Sequence, residues 1–265
     1  MPMPDADIHP CATGKAEATV QAHSKPIEDG GLILHSGWFC PYVQRTWIAL
    51  EEKKIPYEYK EVNPYHKEPA FLKINPKGLV PAIERNGKAL AESNILIEFL
   101  EDAYPDTRSL FSTTSSSAEE KALTRMLIDM VGKKIVAPFF QVLQTQDKKG
   151  QQAARMELAN GLKEFASKIP TGQTFHGGQD VDAADITLAP WTAREYILEE
   201  SRGGPFTEEE VGAKYLTWKK AILNRPSVIN TLSDREKYAP IYGRYLRDEA
   251  QSDAAKATRA GRAIP

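Results

Sequence analysis

A mixed α/β sheet domain followed by an all-helical domain is what this chain of 265 residues predicts, on three observations. A strand, a helix and a second strand follow one another between Leu32 and Val62, the order that joins two parallel strands by a helical crossover. Asn86-Gly87 separates two short extended stretches, and that dipeptide favours a two-residue type I′ hairpin. Beyond a serine- and threonine-rich stretch at 112–117, helical periodicity takes over to about residue 247.

Taken in order, residues 1–30 are polar, with proline, glycine and alanine and no sustained period, and read as a mobile tail. Leu32-Ile33-Leu34-His35 reads as a short buried strand. Cys40-Pro41-Tyr42-Val43 then opens a helix, with Pro41 at the first helical position, where a missing N–H costs nothing. Val43, Trp47 and Leu50 form its inner face, while Gln44, Arg45, Glu51 and Glu52 are expected in water. Lys53-Lys54 suit its C-terminus, and Pro56 blocks continuation. Tyr57 to Val62 reads as the second strand, followed by a loop with a short helix around Ala70 to Ile74. The hairpin pairs 81–85 with 88–91. Ser93 is expected to cap a helix reaching Tyr104, with Ile95, Leu96, Phe99 and Leu100 inward, and Pro105 stops it.

The second half reads as helices near 119–146, 150–168, 183–200, 207–223 and 227–247. Asp182 and Asp185 have the spacing of a capping box, with Val181 placed to staple onto Ile186. The domain expectation is a mobile tail at 1–30, a sheet domain at 31–107, a linker at 108–118, an all-α domain at 119–247 and a polar tail at 248–265.

Cys40 is the residue with chemical promise. At the N-cap it faces the free N–H groups and the positive end of the helix dipole, where a thiol loses its proton most easily. An ordinary cysteine, with a pKa of about 8.5, is only roughly 3% thiolate at neutral pH. Equally open from this position alone is that Cys40 is a small buried hydrophobe.

The totals exclude several classes. A net charge of −2 with no basic stripe argues against nucleic-acid and membrane-surface partners. Only Cys11 and Cys40 are available, so a structural disulfide is not expected and a reducing compartment is. Met1 to Asp29 has no signal-peptide core, and no apolar run has membrane-spanning length; the cytoplasm is the expected location. The five histidines are scattered and no metal-binding spacing occurs, so no metal is expected.

Cys40-Pro41-Tyr42-Val43-Gln44-Arg45, Leu79-Val80-Pro81 and Glu92-Ser93, in that order and followed by an all-α half, resemble a cytosolic glutathione transferase. The cysteine makes the chain most similar to the omega class, in particular to fungal omega-like members, over about residues 31–245. The resemblance implies a thioredoxin-like first domain with a four-stranded mixed sheet, glutathione as co-substrate, and Cys40 as the catalytic residue. It implies that Glu92 meets the α-amine of glutathione and Ser93 the γ-glutamyl carboxylate, a role compatible with plain capping. Val80, before a Pro81 that is cis in this fold, would pair with the cysteinyl backbone, though a plain core valine is equally compatible. Lys67 matches the position that contacts the glycyl carboxylate, with Lys77 as the neighbouring alternative. Tyr42 is near enough to line the same glutathione site, or simply to pack.

Position 43 is valine, so a neighbouring thiol cannot resolve a mixed disulfide and a second glutathione must. The implied activity is a monothiol thioltransferase or reductase, acting on glutathionylated proteins, dehydroascorbate or glutathionyl ketones, with a place in detoxification. A conjugating transferase and a non-catalytic binder of aromatic ligands are the competing readings. The second domain would supply a pocket for a small hydrophobic or aromatic acceptor. Met126, Met130, Phe139, Phe140, Trp191 and Tyr196 could face it, although at helical spacing such residues are more often core. The family also implies a homodimer.

Overall fold

The computed structural model describes residues 11–28, 30–111 and 117–264. They fall into two units: one runs to Leu110 and takes in Arg225–Ala239, and the other comprises Phe111–Asn224 and the chain from Pro240 on.

In the first unit, α1 (Gly14–Ala22) precedes β1 (Ile33–Ser36), α2 (Pro41–Lys53), β2 (Glu58–Glu61), α3 (Pro69–Ile74), β3 (Ala82–Arg85), β4 (Lys88–Ala91) and α4 (Ser93–Ala103). The strand order is β2-β1-β3-β4; β1 runs parallel to β2 and antiparallel to β3. The β3–β4 hairpin turns on Asn86 and Gly87, at φ 51° and 69°, the positive values a type I′ turn requires. The mixed four-stranded sheet and the helical second half are the architecture the sequence predicts.

Apolar periodicity is honoured where it is strongest. Val43, Trp47 and Leu50 of α2 are wholly buried, as are Leu96 and Leu100 of α4. Lys54 ends α2 in the left-handed conformation at φ 53°, and Trp47 donates its indole N–H to the Tyr57 hydroxyl at 2.6 Å.

Several expectations need correction. Gln44 and Arg45, expected in water, are 1% and 3% exposed, while Ile95, expected inward, is 56% exposed. Ser93 is the first residue of α4 and not its cap; Glu92 holds the cap position. The expected mobile tail contains α1, with Ala16 wholly buried; its residues 1–10 lie outside the described residues, as do 112–116 of the expected linker. The cause is tertiary. The Ala16 amide donates to the Leu232 carbonyl at 3.1 Å, the Thr19 hydroxyl to the Asn230 carbonyl at 2.7 Å, and the Tyr59 amide to the His23 carbonyl at 2.8 Å.

The segment from Arg225 to Ala239, expected within the all-α domain, belongs to the first unit. Arg225 grips Glu52 of α2 through two nitrogens at 2.8 and 2.7 Å, and Ser227 donates to the same carboxylate. Gln44 donates to the Thr231 hydroxyl at 3.1 Å, which explains its burial. Tyr238 meets Trp38 edge-on at 5.2 Å.

The second unit is helical, with α5 (Ala118–Val131), α6 (Ala137–Gln144), α7 (Lys148–Ser167), α8 (Ala183–Thr192) and further helices at 195–201 and 213–223. Gly132–Val136 between α5 and α6 winds as a π-helix, breaking the expected 119–146 helix. Gly161 of α7 lets the Lys134 carbonyl come where a side chain would otherwise stand. The expected capping box is present: Asp182 accepts from the Ala184 and Asp185 amides at 2.8 and 3.0 Å, and Asp185 accepts from the Asp182 amide at 3.0 Å. The carboxy-terminal stretch is more than a polar tail. A helix at Asp253–Arg259 buries Ala255 and Ala257, and Gln144 donates to the Ala255 carbonyl at 3.3 Å.

Candidate functional site

Cys40 stands at the N-cap of α2 with φ −75° and ψ 122°, and Pro41 follows at the first helical position. Its amide donates to the Gly37 carbonyl at 2.9 Å, closing the turn that leads from β1 into the helix, and its carbonyl accepts from the Gln44 amide at 3.1 Å. Cys40 is half-buried. It rests against a cluster of Val43, Phe71, Val80 and Ala82, and its Sγ lies 3.9 Å from the Val80 carbonyl oxygen. The side chain rests on that apolar floor and makes no capping hydrogen bond to the amides of α2. Cys40 thus packs on apolar neighbours while keeping part of its surface open.

The Val80–Pro81 bond is cis. The same turn that carries Val80 to the sulfur is braced by Asn75, which donates to the Leu79 carbonyl at 2.8 Å.

Glu92 and Ser93 lie at the start of α4. Glu92 has φ 75°, a region that L-residues other than asparagine and aspartate seldom occupy. Strain of this kind concentrates at ligand-gripping positions. Its carboxylate is exposed and accepts from Lys77 Nζ at 2.9 Å. The Lys77 ammonium is held above its ordinary pKa by that bond and by the Glu92 charge. Lys67 in turn donates to the Lys77 carbonyl at 3.1 Å. Gly78, at φ 63°, leaves room for the Lys67 stem, because a Cβ there would lie 2.5 Å from Lys67 Cδ.

Arg45 is the residue that the sequence reading missed. Its position in the helical repeat reads as solvent-facing, so no local signal marks it. Its guanidinium donates to Ser93 Oγ at 3.4 Å and lies over the Tyr42 ring, 5.3 Å from the centroid. Burial pulls its pKa down to about 10, against the opposing charges that Tyr42 and Cys40 can carry. It remains a cation at neutral pH. Because Arg45 donates to the Ser93 oxygen, the Ser93 hydroxyl proton is left to point elsewhere.

The structure thus gathers the expected residues into one unit. Cys40, Val80 and Pro81 adjoin; Tyr42, Arg45, Ser93 and Glu92 adjoin; Lys77 links Glu92 to Lys67. The set offers a thiol, an exposed carboxylate, a hydroxyl at a helix start, a backbone turn beside the thiol and three cations. A ligand carrying an ammonium, a thiol and two carboxylates matches those groups in kind. Of the aromatic and sulfur-bearing residues considered for an acceptor pocket, Phe139, Phe140 and Trp191 are buried core, whereas Met126 is exposed. Among the described residues no group of three or more His, Cys, Asp or Glu side chains is placed to hold a metal ion.

The comparisons with known proteins bear on the same region. Residues 39–103 match the family model described as glutathione S-transferase, N-terminal domain. The crystal structure of glutathione transferase Omega 3C from Trametes versicolor is 48% identical, with a TM-score of 0.82, covering 91% of this chain and all of that one. The chain belongs to the glutathione transferase family. Within the family it is similar to the omega class, as the fungal structure shows. Glutathione S-transferase omega-1 from Rattus norvegicus is 28% identical, over 86% of this chain and 91% of its own length. Rice GST1 (OsGSTU1), solved in complex with glutathione, is also 28% identical, with a TM-score of 0.73, over 84% of this chain and all of that one.

Proposed function

We propose that this transferase is a glutathione-dependent thioltransferase in which Cys40 works as a single reactive thiol. The observation that carries the reading is Cys40 itself: half-buried at a helix N-terminus, with Val43 where a dithiol enzyme would place its second cysteine. The Cys40 thiolate attacks the glutathionyl sulfur of a mixed disulfide. A Cys40–glutathione disulfide forms and the substrate leaves as its thiolate, which takes up a proton. A second glutathione, as thiolate, attacks the glutathionyl sulfur on Cys40, so that oxidised glutathione departs and the Cys40 thiolate is restored.

In this reading Glu92 accepts from the α-ammonium of glutathione, which requires Lys77 to share or release it. The Ser93 hydroxyl and the N-terminus of α4 receive the γ-glutamyl carboxylate, with Arg45 behind them. The Val80 turn pairs with the cysteinyl backbone, Lys67 meets the glycyl carboxylate, and Tyr42 borders the site. The glutathione-binding unit consists of residues up to 110 together with 225–239. Among the described residues no helix is long and apolar enough to cross a membrane, and a cytoplasmic homodimer is the expected state of the enzyme, with sedimentation as its test.

Cys40→Ser tests the mechanism. Reduction of a glutathionylated peptide should fall by more than about a hundredfold, because a hydroxyl cannot form the intermediate disulfide. Undiminished thioltransfer would end the proposal. A gain of conjugation to a halogenated aromatic in the same variant would show that the site supports transferase chemistry once the sulfur is gone.

A further inference from the structure

The turn that delivers Cys40 to its helix is fastened from outside. Strand β2 ends at Glu61, in register with Ser36 at the end of β1. Just beyond it, the Val62 amide donates to the Ser36 carbonyl at 2.6 Å. The Glu61 carboxylate uses both oxygens: Oε1 accepts from the Trp38 backbone N–H at 3.0 Å, and Oε2 from the Tyr59 hydroxyl at 2.9 Å. Trp38 and Tyr59 are 1% and 5% exposed. Both donors are thus buried, although Glu61 as a residue is exposed at the edge of the sheet. From Trp38 the chain reaches Cys40 in two residues, and the Cys40 amide closes back on Gly37. Glu61 therefore anchors the turn at its centre.

We propose that Glu61 is an ionisable positioning residue for Cys40: its carboxylate, fixed between Tyr59 and the Trp38 amide, sets the seat of the thiol, and its protonation loosens that seat. The idea rests on reading Cys40 as the reacting thiol. As an anion Glu61 makes two charge-assisted bonds, roughly twice as strong as neutral ones. As an acid it keeps only a neutral acceptor for Trp38 and must place its proton on the Tyr59 side. Although the residue as a whole is exposed, its carboxylate is enclosed against the buried Trp38 and Tyr59, and that desolvation pushes its pKa up to about 7, against the lowering effect of the two bonds. The titratable group in contact with it is Tyr59; Lys60 and Glu58 lie on its own strand, and His35 on the neighbouring β1. The shift has burial and those two bonds as its causes, with no contribution from these charges.

Alkylation of Cys40 by iodoacetamide, followed from about pH 6 to about pH 8, tests the inference on the full chain carrying Cys11→Ser in every variant, because Cys11 is a second, exposed free thiol. Rates are divided by the thiolate fraction read from its ultraviolet absorbance. The parent and Glu61→Gln, which mimics the protonated form, should react alike near pH 6. Near pH 8 the parent should react about fivefold faster, the worth of a charge-assisted over a neutral bond. A ratio that stays flat across the range overturns the proposal. Tyr59→Phe supplies a second reading that does not depend on how the glutamine variant folds. Loss of the donated O–H should move the inflection in the parent profile to higher pH, and an unmoved inflection overturns the proposal equally. Alkylation reports the thiol alone. If Cys40→Ser retained thioltransfer, the proposed function would fail while the Glu61 result would still stand.

Discussion

Replacing Asp185 with alanine should cost far more than the loss of a helix cap. From the sequence alone, the capping box sets an expectation of about 1 kcal/mol. In the structure Asp185 is wholly buried and serves four donors. Its Oδ2 accepts from the amides of His176 at 3.0 Å, Gly177 at 3.4 Å and Asp182 at 3.0 Å, while Oδ1 accepts from the Trp218 indole at 2.7 Å. Alanine would leave those donors inside the helical unit without an acceptor, at about 1–3 kcal/mol each. Part of that is returned. Removing a buried carboxylate ends its own desolvation cost and relieves Asp182, whose carboxyl is pushed upward first by burial and then by the Asp185 charge. A net loss of about 3–5 kcal/mol remains, the usual cost of breaking one side of a buried charged network. Urea unfolding, followed by circular dichroism and by tryptophan fluorescence, measures it, with the m-value checked against the parent. A loss of only about 1 kcal/mol at an unchanged m-value would mean that Asp185 caps a helix and does nothing more.

Two further outcomes are expected. Arg45→Met keeps the packed stem but removes the charge behind Ser93, so glutathione affinity measured by calorimetry should fall about tenfold, equal to about 1.4 kcal/mol; an unchanged dissociation constant would remove Arg45 from the site. Glu52→Gln weakens the grip on Arg225 and Ser227 and should speed hydrogen exchange across 225–239 and in α1, at a cost of about 2 kcal/mol to the first unit. Bonds from Arg225 and Ser227 hold the Glu52 carboxyl below the usual carboxylate range, against desolvation. Its stabilising contribution is thus complete above the unfolded value and is lost as pH falls through the lower, folded one. Exchange in the parent at acidic pH should approach that of the variant, and equal exchange in both at neutral pH would refute the tie.

Local chemistry was enough to read much of this molecule. Asn86-Gly87 allows positive φ at two successive residues, which few dipeptides do, so the hairpin was legible without its surroundings. Pro41 after Cys40 marked the helix start, and the Asp182–Asp185 spacing marked another. Cys40 and Ser93 carried short-range signals as residues at helix starts, whereas Val80 and Glu92 came into view only through the resemblance to glutathione transferases.

What the linear chain could not show is where a polar side chain finds its partner. Gln44 and Arg45 occupy outward positions of α2 and are buried where Thr231, 187 residues away from Gln44, and Ser93 receive their donated hydrogens. Helix α1 has too weak an apolar face to announce itself; the Leu232 and Asn230 carbonyls hold it. Nothing local in the sequence marks Glu61, whose tie to the Trp38 amide spans 23 residues. Periodicity and capping act within a few residues and are written locally, whereas desolvated hydrogen bonds between distant segments exist only once the chain has closed on itself, and that closure decided the surroundings of Cys40.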